Sequence, residues 1–159
     1  MPEGFKAVVF SCGNEEYAIS IHKIVSIEKE EKVTAVPHLP EFMPGITEVR
    51  GELVPVLDFE QILYHQPLTT ADAKMLVVKT EQLSIAIRVK EAKEIIDIPS
   101  EQLKEIGLAA YKHTEYFTGV AQLENRLITM IDPEILTENL EGMKEIREYM
   151  IQLETSEPV

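Results

Sequence analysis

Up to about residue 132, apolar residues come in short runs separated by Gly, Pro and Asn, the signature of many short strands. Phe5 to Cys12 is one such run, closed by Gly13-Asn14, and Tyr17 to Ile21 alternates large apolar with small residues. Ile24, Val25 and Ile27 crowd together between His22 and Glu28, a spacing compatible with a turn of helix. Val33 to Val36 reads as a strand stopped by Pro37 and Pro40. Glu48–Arg50 and Leu53–Leu57 flank Gly51-Glu52, which predicts a tight turn or a bulge. Asp58 is placed to cap a short helix over Phe59–Tyr64 with its carboxylate.

Polar Gln66 to Ala73 is the best candidate for a connection between halves. Beyond it, Met75–Lys79 and Leu83–Val89 predict a hairpin about Thr80-Glu81-Gln82, and Ala92–Ile98 a strand ended by Pro99. Ser100-Glu101-Gln102 resembles a helix start, Ala109–Phe117 a polar and aromatic loop, and 118–123 and 127–131 two more strands. At Asp132-Pro133 the period changes. An Asp cap followed by Pro is a strong helix start, and Leu136, Leu140, Met143, Ile146, Met150 and Leu153 then make one apolar face. Gly142 costs such a helix about 1 kcal/mol and marks a candidate break. The pattern predicts a mainly β fold with barrel-like subdomains at 14–73 and 74–132. The N-terminal strand 5–12 is a candidate to cross to the second barrel, and 133–155 forms a C-terminal helix.

One block occurs twice. Gly45, Ile46, Val49, Leu53, Val54, Val56, Leu57 and Asp58 match Gly119, Val120, Leu123, Leu127, Ile128, Met130, Ile131 and Asp132 without a gap. One motif used twice predicts two similar β units, with Gly51 and Gly119 as turn or strand-construction positions and Asp58 and Asp132 as caps. Arg50 breaks the repeat, because Glu124 stands at its place.

Composition narrows the function. The chain has 159 residues, enough to bury a core without disulfides or metals. A formal charge of −13 opposes general affinity for nucleic acid or anionic lipid. Cys12 is the sole cysteine and lies in an apolar run, which predicts a buried, inert thiol. No secretory leader or membrane-length apolar stretch is evident, so a cytoplasmic protein is expected. His22, His38, His65 and His113 lack metal-site spacing, and no nucleotide-binding, zinc-protease or nucleophile motif occurs. The expectation is a non-enzyme with no catalytic residues, metal or cofactor. For Arg50 two roles stand open: an interface anchor, or a structural one, pairing with a nearby acid such as Glu48 or Glu52 or bonding loop carbonyls.

From about Phe5 to Leu136 the chain resembles the CheW-like chemotaxis coupling family. The resemblance rests on Val8-Val9-Phe10, Glu16-Tyr17-Ala18-Ile19, Ile24-x-x-Ile27 and Val33-Thr34-Ala35-Val36-Pro37. It rests above all on Gly45-Ile46, Arg50-Gly51 and Val54-Pro55-Val56-Leu57-Asp58, followed by Thr118-Gly119-Val120 and Ile128 to Asp132. It implies two SH3-like five-stranded barrels and an adaptor joining the histidine kinase CheA to the cytoplasmic tip of methyl-accepting chemoreceptors at the inner face of the membrane. The receptor groove implied comprises Ile24, Ser26, Gly45, Glu48, Arg50, Met75, Ala86 and Arg88. Departures are Glu48-Val49 for the family's Asn-Leu, Phe59-Glu60 after the Asp, and Ala86-Ile87-Arg88-Val89-Lys90. In the last, alternation would put Arg88 and Lys90 on a strand surface with Ala86. A divergent paralogue or CheV-like module is the second reading, although the chain ends too early for a receiver; an enzyme or small-molecule binder using the groove is the third.

Overall fold

A computed structural model describes residues 4–105 and 116–155. Strands β1 (Phe5–Cys12) and β2 (Glu15–Ser20) form a hairpin, and a 3-10 turn at Ile21–Lys23 leads into β3 (Ile24–Lys29). A second hairpin, β4 (Gly45–Val49) and β5 (Glu52–Asp58), ends in helix α1 (Phe59–Tyr64). The same series then repeats. Hairpin β6 (Lys74–Lys79)–β7 (Ser84–Val89) is followed by β8 (Glu91–Ile98), short β9 (Leu103–Glu105), hairpin β10 (Phe117–Leu123)–β11 (Arg126–Ile131) and helix α2 (Pro133–Asn139). Asp58 and Asp132 cap the two helices in the same way. Each Oδ1 accepts two amides: Glu60 and Gln61 at 3.0 and 3.2 Å, and Glu134 and Ile135 at 2.8 and 3.4 Å.

The strands do not divide into sheets at the polar connection. One sheet has the order β8-β1-β2-β11-β10-β9, the other β3-β6-β7-β5-β4. The expected 14–73 and 74–132 division therefore differs from sheet membership: β2 joins the later strands beside β1, the strand considered for such a crossing, and β6 and β7 join the earlier ones. Each repeat lends its first hairpin to the other. The parallel seams show the exchange, with Val56 opposite Ala86 in one sheet and Met130 opposite Ala18 in the other. A parallel pair cannot be closed by a tight turn, so its partner comes from a distant part of the chain. The first sheet also carries β9 as a sixth short strand.

Alternation along the exchanged hairpins explains the interior. Ala7, Val9 and Ala18 fill the first subdomain with Ile98, Ala121, Ile128 and Met130. Met75, Val77 and Ala86 fill the second with Val49, Val54 and Val56. The opposite faces, including Val8, Phe10, Leu76, Val78, Ile85 and Ile87, meet in a larger core between the subdomains. Phe10, Tyr17 and Phe59 pack there, with Phe59 edge-on to both other rings at 5.4 and 5.5 Å. Cys12 is buried in the same core, and burial, then Glu60 and Asp58, push its thiol up to about 12. Such a thiol is not a nucleophile near neutral pH. Burial and a hydrogen bond with the Tyr64 hydroxyl (2.9 Å) likewise hold the Tyr17 phenol above its ordinary range.

Three local expectations change, and a fourth falls largely outside the described residues. The C-terminal helix is two: α2, then α3 (Met143–Thr155) after a break at Gly142, whose φ is +100°. Met143, Ile146 and Met150 of α3 lie in the main core. Val33–Val36 contributes only a bridge between Thr34 and Ile46, and Ser100–Gln102 only a 3-10 turn before β9. Of the loop expected at 109–117, residues 109–115, including His113, lie outside the described residues; Tyr116 is buried and Phe117 opens β10.

Candidate protein-interaction site

Seven of the eight residues expected at a receptor groove lie in strands of the five-stranded sheet and Arg50 in its β4–β5 turn, but they do not form one surface. Met75 and Ala86 are 2% and 0% exposed and point into the interior of their subdomain, so they offer a partner no side chain. Arg88, expected on an open strand surface with Ala86 and Lys90, is tucked in instead. Its guanidinium pairs with Glu30, donates to the Leu68 carbonyl (2.7 Å) and lies 3.5 Å from Asp58 Oδ2. A charge this enclosed is an internal clasp, whereas Lys90 is exposed.

Gly45 is also a construction residue. A Cβ there would lie 2.0 Å from the Thr34 carbonyl oxygen, because the 33–36 segment crosses directly over β4. Gly119 has the corresponding place beneath β9, where a Cβ would meet the Lys104 carbonyl oxygen at 2.9 Å. The repeated glycines thus admit a further strand-like segment against each hairpin.

Ile24, Ser26, Glu48 and Arg50 remain nearer the surface. Edge strand β3 pairs with β6 on one side and slips register at Val25, between Ile24 opposite Val78 and Ser26 opposite Val77. Ile24 packs partly on the main core, and Ser26 is half-buried with its hydroxyl oxygen enclosed. The slip leaves Val25 51% and Ile27 43% exposed. Ile27 stands opposite Leu76, on the face directed at the inter-subdomain core. Ile95 stands opposite Val8 on edge strand β8 in the matching position of the other sheet, 53% exposed. β8 runs close to β6, so both isoleucines border one seam.

Arg50 occupies the tip of the β4–β5 hairpin. With φ of +52° at Arg50 and +84° at Gly51, both central residues are left-handed, as a two-residue type I′ turn requires. Glu124 shares the conformation at φ +37°, so the strained backbone belongs to the repeat and only the side chain differs. The Arg50 side chain is 70% exposed, and its ion pair is with Glu28 of β3 at 3.7 Å rather than with Glu48 or Glu52. Beside it, Glu48 and Leu53 line a cleft of about 390 Å³ with Glu31, Lys32, Thr34, Ile46 and Thr47. The result is an apolar strip on β3, with an exposed Arg50 paired to Glu28 of the same strand, a surface suited to binding another protein. Among the described residues, no group of His, Cys, Asp and Glu could hold a metal ion, and no helix is long and apolar enough to cross a membrane.

A CheW-like domain matches residues 6–141, most of the chain. The chain belongs to the CheW-like family. It is 30% identical over 135 residues to the chemotaxis protein CheW of Klebsiella aerogenes, covering 84% of this chain and 81% of that protein. The Bacillus subtilis chemotaxis protein CheW is 28% identical over 131 residues, covering 81% and 84%. The crystal structure of the scaffolding protein TtCheW from Thermoanaerobacter tengcongensis superposes with a TM-score of 0.77 at 25% identity, covering 89% of this chain and 92% of that one. The two sheets are accordingly the SH3-like subdomains of the CheW-like fold, and membership places the chain among chemotaxis coupling adaptors. A CheV-like or otherwise divergent module is not favoured, since both CheW relatives match over more than four fifths of their length.

Val25, Ile27 and Glu28 are the surface residues that sequence reasoning left out of the site. Apolar residues crowded at Ile24, Val25 and Ile27 were a usable signal, because one strand face cannot bury all three.

Proposed function

We propose that this chain couples the cytoplasmic tip of chemoreceptors to the histidine kinase CheA, working in the cytoplasm and recruited to receptor arrays without inserting into the membrane. Its part is to bind and to hold partners in register, with no reaction catalysed. The observation that carries the reading is the CheW-like match over residues 6–141, joined to an apolar β3 strip and to an exposed Arg50 that pairs with Glu28 of the same strand. Receptor tips are helical hairpins, and the strip suits helix-in-groove recognition: Ile24, Val25 and Ile27 supply buried area, while Arg50 and Glu48 set register. Arg50 can change partners at little cost, because an exposed ion pair contributes about 0–1 kcal/mol.

Co-sedimentation with cognate CheA and receptor signalling fragments tests the coupling role; binding to neither would refute it. Arg50→Glu is expected to weaken receptor binding about tenfold or more while changing stability by less than about 1 kcal/mol. Parallel losses of binding and stability would instead make Arg50 a structural residue.

A further inference from the structure

Away from the β3 strip, a groove of about 500 Å³ lies between the 40–42 segment, α1 and the α2–α3 junction. Its floor is apolar. Phe42, Ile62 and Leu140 are each partly exposed there while packing against the main core on their other side. Pro40 closes one end against Gly142, where even a Cβ would come within 2.6 Å of the proline ring. The rim carries Glu41, Glu141 and Glu145, all exposed, together with Gln61 and His65; no Lys or Arg lines it.

Three carboxylates around an apolar floor, on a chain of charge −13, create a field that attracts cations and repels anionic surfaces. A charge-neutral apolar partner would bury the floor but leave the carboxylates without counter-charges. A purely cationic partner would leave the floor in water. Every lining residue comes from a loop or a helix, so no strand edge is open to an added strand, and the available mode is a helix in a groove. We propose that this groove docks a basic amphipathic helix of a partner protein, its apolar side chains on Phe42, Ile62 and Leu140 and its Lys or Arg residues against Glu41, Glu141 and Glu145. The groove shares no residue with the β3 strip, so the two surfaces can be filled together.

The test is an NMR titration of the isotope-labelled full chain with three short synthetic peptides: a helical Leu/Lys peptide, its Leu/Glu counterpart, and a Lys/Ser peptide with the charges but no apolar face. The expected result is that only the Leu/Lys peptide shifts amides at 40–42, 61–65 and 140–145. In Glu141→Lys/Glu145→Lys, two exposed positions, that binding should weaken about tenfold or more and become less salt-dependent. Shifts scattered over the acidic surface, equal response to the Lys/Ser peptide, or binding unchanged in the double variant would each overturn the proposal. Binding of the Leu/Glu peptide at the same amides would overturn the charge assignment.

Discussion

Replacing Arg88 by Met removes the clasp that holds the connection between the two repeats. Arg88 is 13% exposed, its partners Glu30 and Asp58 17% and 5%. Its guanidinium reaches the Leu68 carbonyl at 2.7 Å and the Thr70 carbonyl at 3.5 Å, and so ties 66–73 to β7. Asp58 keeps three backbone amides without it, from Glu60, Gln61 and Leu68, and remains satisfied. Glu30 does not: it loses its ion-pair partner in a largely enclosed place. Breaking a buried pair costs about 3–5 kcal/mol, and partial access of Glu30 to water sets the expectation at about 3 kcal/mol. An exposed pair would give about 0–1 kcal/mol, so the two descriptions are separable. For a chain of this length, about 3 kcal/mol lowers the Tm by about 6–12 °C. Urea unfolding followed by circular dichroism measures the loss, and a cycle with Glu30→Gln should show a coupling of about 1–3 kcal/mol. A loss below about 1 kcal/mol, or strict additivity, would refute the clasp. Weakened receptor binding at unchanged stability would return Arg88 to the recognition surface.

Gly45→Ala should cost on the order of 2–3 kcal/mol, because its new methyl meets backbone atoms of Thr34 that cannot swing aside; hydrogen exchange at Thr34 and Ile46 should accelerate with it. Asp132→Ala should cost about 1 kcal/mol as a lost cap, and Asp58→Ala about 3 kcal/mol, since Asp58 also accepts the Leu68 amide and faces Arg88; equal losses in urea unfolding would argue against that added role. Thiol labelling of Cys12 near pH 8 should proceed only as fast as the chain opens, and prompt labelling of the folded chain would contradict its burial. The Cys12 pKa is raised on folding from 9.0 to about 12, so in that window the unfolded chain loses a proton that the native chain keeps. Stability should therefore fall as pH rises from 9 to 12, and less steeply in Cys12→Ala; parallel curves would rule out the shift.

The elements that local chemistry dictates were legible in the sequence. Asp58 and Asp132 precede helices because a carboxylate there satisfies free amides, and Gly51 ends a strand because a type I′ turn demands left-handed backbone. The repeated block located both hairpins, and its break at Arg50 singled out an exposed cation at a turn tip. Faces were harder. Met75-Leu76-Val77-Val78 and Ile85-Ala86-Ile87 are buried on both sides, one in a subdomain interior and one between subdomains, so no polar alternation records which way each residue points. Met75, Ala86 and Arg88 were misplaced for that reason. Val25 and Ile27 erred in the opposite sense, apolar yet exposed, because β3 is an edge strand with a register slip.

By itself the sequence determined the strands, caps, turns, the duplication and the family, all of which depend on neighbours a few residues away or on residue order. Tertiary structure decided that the repeats exchange hairpins, that Arg88 closes inward on Glu30 while Arg50 stays outside, and that the apolar strip on β3 remains uncovered. Those outcomes depend on which distant strands pair, and pairing is settled by burying both faces of β1, β2, β6 and β7 at once, a condition no local stretch of the chain can express.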